Sequence, residues 1–211
     1  MRINLIAGVA VAICSFLGAP KASAQNIVPM TTDLREQFLA TARQCQQQNA
    51  AVPDKAAACF GAWYSKNYSQ GWAYGFPILA DSHPISATLR TPLIAAATLV
   101  TNALQTAEPV QLPSAESLDV VTVEIQPRMV TSPNVARVLL AKSASESVQP
   151  LSTLLQPREF KNRLGGSFTK SSGIVSFPRG AFDGKPMTLT FITDSGNVTA
   201  ELRVSDLNEL K

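Results

Sequence analysis

The stretch that most restricts this chain lies near its C-terminal end, where residues 186–204 read P-M-T-L-T-F-I-T-D-S-G-N-V-T-A-E-L-R-V. Apolar and polar residues alternate on both sides of a turn-forming D-S-G-N, which is the pattern of a β-hairpin with one buried face. With Ser195-Gly196 as the two-residue loop, Thr193 opposes Val198, Phe191 opposes Ala200, Leu189 opposes Leu202 and Met187 opposes Val204. Thr188, Thr190, Ile192, Thr199, Glu201 and Arg203 then share the other face. A slip of one residue would mix the two sets. Such a hairpin needs further strands or a helix to cover its apolar side.

The preceding residues supply strands. Val121, Val123 and Ile125 alternate within residues 118–126, and strand patterns recur at 135–142 and 174–177, with short pieces near 158–163 and 166–168. Together these predict a C-terminal antiparallel β-sandwich-like domain over residues 111–211. Pro109 and Pro113 mark its boundary. Residues 25–110 read as a helical domain that opens with a mobile lead at 25–30. Its first helix has Thr32 or Asp33 as cap and sets Leu34, Phe38, Ala42 and Cys45 at helical spacing. Asp54 caps a second, with Ala56, Cys59 or Phe60, Trp63 and Asn67 on its face. Thr91-Pro92 opens a third, mostly apolar helix suited to covering a sheet face. The expected class is α+β.

Arg2, an apolar run over residues 5–17 and Ala22-Ser23-Ala24 follow the order of a secretory signal peptide, with cleavage expected after Ala24. The run is shorter than the roughly 20 residues of a spanning helix. Ile13 precedes Cys14 where a lipoprotein would carry a small residue. Cleavage would remove Arg2 and Lys21 and no carboxylate, so the formal charge falls from +3 to +1. A nearly neutral chain offers a nucleic acid little, and no later stretch is apolar enough for a stable transmembrane span. A secreted or periplasmic location follows, and there Cys45 and Cys59 should pair, stapling the first two helices into an antiparallel hairpin.

Catalytic patterns are sparse. His83, beside Asp81 and Ser82, is the only histidine, and neighbours in one loop rarely converge as a triad; no G-x-S-x-G is present. The spacing of His, Cys, Asp and Glu suggests no metal site, and Gly165-Gly166 is too small a signal for a cofactor loop. Asn67-Tyr68-Ser69 and Asn197-Val198-Thr199 match the glycosylation acceptor pattern, which is short enough to arise by chance.

Two clusters remain. Trp63, Tyr64, Tyr68, Trp72 and Tyr74 crowd together; they read either as filler for the joint between the two halves or as a platform for a glycan or peptide. Arg158, Lys161 and Arg163 surround Phe160, with Lys170 further on. Either they guard a strand edge, or they hold an anionic partner such as a phosphate-bearing polymer or a lipid headgroup. The expectation is an exported, non-enzymatic binding or assembly protein of the cell envelope, with an envelope protein or polymer as partner and no cofactor. The alternative is a hydrolase of an envelope polymer such as a glycan, with Asp54, Asp81 and Glu108 as the first carboxylates to inspect. Oligomeric state is not set by these patterns.

Overall fold

The computed structural model describes residues 27–68, 85–127, 131–143, 145–161 and 165–203, together with the backbone of residues 76–79. The expected leader, Trp72, Tyr74, Asp81, Ser82, His83, Arg163 and Val204 lie outside the described residues.

Helix α1 (Thr32–Gln48) is capped by Thr31, whose hydroxyl accepts the Leu34 N–H, one residue ahead of the expected cap. Helix α2 (Pro53–Asn67) starts from Val52 without a side-chain cap; Pro53 takes the first helical position and leaves Asp54 inside the first turn. The two helices are joined by a Cys45–Cys59 disulfide with Cα atoms 5.7 Å apart. After β1 (Phe76–Leu79) and β2 (Ser86–Arg90) comes α3 (Pro92–Gln105), where Thr91 caps and Pro92 leads as expected. Its buried Leu93, Ala96, Ala97, Val100 and Leu104 pack with Phe38, Ala42, Phe60 and Tyr64 in a helical core. Helix α3 therefore mainly closes the helical half rather than roofing a sheet.

The rest is strand: after the one-turn α4 (Ala115–Leu118) come β3 (Val120–Ile125), β4 (Val135–Ala141), β5 (Ser147–Val148), β6 (Ser152–Lys161), β7 (Ser167–Pro178), β8 (Met187–Thr193) and β9 (Gly196–Leu202). They form two antiparallel sheets, ordered β1-β2-β3-β7-β6 and β5-β4-β8-β9. Their inner faces share one core, in which Leu89, Val121, Val123, Val175 and Phe177 meet Val138, Leu140, Leu189, Phe191 and Leu202. Each such side chain, fully buried, contributes about 1.5–3 kcal/mol. Residues 76–79 and 86–90, which fall in the helical part of the sequence reading, are thus strands of the larger sheet. Five residues of alternation in S-A-T-L-R are too short a signal to stand out from a loop.

The C-terminal hairpin forms with its register moved. Thr193 pairs with Gly196, Phe191 with Val198, Leu189 with Ala200 and Met187 with Leu202, so the loop is Asp194-Ser195. Gly196 has φ +117°, a backbone conformation that favours glycine, at the first paired position after the turn. Asn134 fixes the turn from outside: its N–H donates to Asp194 Oδ1 at 3.0 Å and its carbonyl accepts the Asp194 N–H at 3.2 Å.

The lead at 27–30 is anchored rather than mobile. Ile27 is buried in the sandwich core and Met30 in the helical core. Arg179 donates to Asp119 Oδ1 at 2.8 Å and to the Ile27 carbonyl at 3.1 Å, while Asp119 Oδ1 accepts the Met30 N–H at 3.0 Å. On the opposite sheet Lys142 bridges Asp183 at 3.2 Å. Partial burial would raise the Asp183 carboxyl, but the Lys142 hydrogen bond, the Lys185 N–H and both ammonium charges outweigh it and hold it below its ordinary value.

Candidate binding site

The five-stranded sheet turns one face to the core and one outward, and the outward face is shaped by β6 and β7. These strands pair over ten positions, from Ser152↔Ser176 to Lys161↔Ser167. β3 accompanies β7 only from Gly173 onward, so residues 156–161 and 167–172 continue as a two-stranded ribbon. At its base Ser172 Oγ donates to the Ile125 carbonyl at 3.2 Å and Asn134 Oδ1 accepts the Ser171 N–H at 2.7 Å. Gly173 adopts φ +151°, and a Cβ there would stand 1.8 Å from the Leu154 carbonyl oxygen. The strands can come this close only because Gly173 has no side chain.

Register decides what the ribbon displays. Arg158 lies directly opposite Lys170, and Phe160 opposite Phe168. The two rings stack with centroids 5.6 Å apart and planes 21° from parallel. Directly opposed residues share a face, so two cations and two stacked rings are presented together. Among the described residues none of Arg158, Lys161 and Lys170 forms an ion pair. Beside them runs a groove of about 410 Å³ whose lining includes Arg158, Phe160, Ile174, Pro127, Gln126 and Glu124. Glu124 is held by an ion pair with Arg90 and accepts from Gln126 Nε2 at 2.7 Å, so its charge is compensated in place. Leu154, opposite Ile174 and 64% exposed, extends the apolar margin.

The expected site residues separate. Arg158 is on this face; Lys161, opposite Ser167, alternates to the other side of the ribbon. Trp63, Tyr64 and Tyr68 instead surround Phe38 in the helical half, with centroids 5.4, 5.9 and 5.8 Å from its ring. Tyr64 is buried, which pushes its hydroxyl well above the ordinary range, and Trp63 and Tyr68 are half-buried. The Tyr68 hydroxyl donates to Gln37 Oε1 at 2.8 Å. These three rings pack a core rather than line an open cleft.

Of the carboxylates near the aromatics, Asp54 lies in the first turn of α2, whereas Glu108 lines a shallow groove of about 500 Å³ at the end of α3, with Leu99, Asn102 and Thr106. Neither groove includes a second carboxylate in its described lining. Among the described residues no cluster of three His, Cys, Asp or Glu side chains could hold a metal, and no helix is long and apolar enough to cross a membrane. Glu124 and Gln126 have no distinguishing mark in sequence, because only the pairings β3–β7 and β6–β7 bring them to the groove beside Arg158. No protein-family profile, curated protein or solved structure matches the chain.

Proposed function

We propose that this is an exported, non-enzymatic binding protein of the cell envelope, which holds an anionic polymer against the outward face of the β6–β7 ribbon. The observation that carries this reading is Arg158 directly opposite Lys170 with no carboxylate paired to either among the described residues. Like charges so placed destabilise a sheet, by about 0.2–1 kcal/mol on the scale of cross-strand pairs. Guarding a strand edge explains a cation on either strand, but not two set face to face. An anion between them turns the repulsion into two attractions. The leader-like sequence over residues 1–24 and the Cys45–Cys59 disulfide support an oxidising location outside the cytosol.

Sedimentation with the insoluble envelope polymer of the producing cell tests this. The protein should pellet at low salt and be released at high salt, as exposed charge pairs are screened. The Arg158→Ala, Lys170→Ala variant should stay in the supernatant, and the polymer should keep its length. Equal pelleting of the variant would contradict the assignment of the face. Release of soluble fragments by the wild type would show a hydrolase instead.

A further inference from the structure

Resting on that reading, we infer that the groove beside the ribbon takes an acidic saccharide, one sugar unit of a polymer whose carboxylate meets Arg158. Three kinds of surface converge there. Arg158 offers a planar fork of donors that matches a carboxylate or a phosphate. Phe160, Pro127 and Ile174 form an apolar wall on which the C–H face of a pyranose ring can lie. Glu124 and Gln126 line the same groove and supply acceptors and a donor, suited to hydroxyl groups.

The placement of charge discriminates among anions. A bare phosphate or a compact headgroup at Arg158 would engage the guanidinium alone and leave Glu124 and Gln126, on the same lining, without hydroxyl partners. A ligand whose charge is confined to one end and whose other end carries hydroxyls satisfies both groups. A uronic acid has that distribution. The groove, at about 410 Å³, lies in the range of small-molecule sites and suits a sugar unit with part of its neighbours. Binding leaves the Arg90–Glu124 pair intact, since hydroxyls can donate to carboxylate lone pairs that the pair does not use.

Calorimetric titration with a short oligogalacturonate, and with the same oligosaccharide after reduction of its carboxyls to alcohols, tests the inference. The acidic form should bind and the reduced form should bind at least about tenfold more weakly, the worth of a charge-assisted contact. Arg158→Ala should lose a similar factor, and Arg158→Lys should fall between, because an ammonium keeps the charge without the fork. Arg158 is exposed, so both variants should unfold at or above the wild-type temperature. Inorganic phosphate and phosphatidylcholine vesicles containing phosphatidylglycerol serve as competing sources of anion. Equal affinity for acidic and reduced forms, no effect of Arg158→Ala, or binding of phosphate or vesicles in place of the oligosaccharide would overturn the inference. Loss of oligosaccharide binding while sedimentation with envelope polymer still depends on Arg158 would refute only the ligand class. Loss of both would refute the binding face itself.

Discussion

Gly173 shows how one position without a side chain sets the shape of the candidate site. Its φ of +151° and the 1.8 Å approach of a hypothetical Cβ to Leu154 O leave no room for alanine. Gly173→Ala should therefore cost about 2 kcal/mol or more, a fall of roughly 4–8 °C in the unfolding midpoint for a chain of this size. A midpoint within about a degree of wild type by calorimetry would contradict the close approach. At this scale the sequence shows Arg158, Phe160 and Lys170 as parts of a basic cluster, but not which residue stands opposite which. Lys170 becomes the neighbour of Arg158 through the pairing of β6 with β7, and Glu124 arrives from β3, further away in sequence. Composition marks a cation; only register says what faces it.

Among elements, helices carried their own signals. Thr91-Pro92 is a cap followed by a residue fit for the first helical position, and α3 starts there. The C-terminal hairpin was legible in its faces but not in its pairing. Moving the loop to Asp194-Ser195 shifts partners by two residues, which leaves Met187, Leu189 and Phe191 on the same side as Val198, Ala200 and Leu202. A period-2 pattern is blind to such a shift, and the positive φ of Gly196 decides it. The β6–β7 pair looked like short fragments because β6 is largely exposed and lacks the alternation that marks a half-buried strand. The Cys45–Cys59 staple closes a short loop between α1 and α2, and the chain-entropy relation assigns it about 3 kcal/mol. Cys45→Ser, Cys59→Ser should lower the urea midpoint accordingly. Coincident unfolding of the variant and the oxidised wild type would show that the staple stabilises nothing.

Across the whole molecule, two cores lie side by side, one helical and one between sheets, and residues 27–30 insert into both. Asp119 and Arg179 fasten that segment, so the two halves share their N-terminal residues. This frame holds the larger sheet with its inner face filled and its outer face free to display Arg158, Lys170 and the stacked phenylalanines. A feature that costs stability in the free protein and is relieved by a ligand should give opposite responses in folding and in binding. Thermal unfolding of the wild type and of Lys170→Glu, each with and without the soluble anionic polymer fraction of the producing cell's envelope, reads both responses together. Replacing repulsion by attraction opposite Arg158 should raise the midpoint of the free variant by about 2–4 °C. The polymer should raise the wild-type midpoint and leave the variant unmoved. A variant that melts lower than wild type, or that the polymer stabilises equally, would contradict a binding face built on the opposed cations.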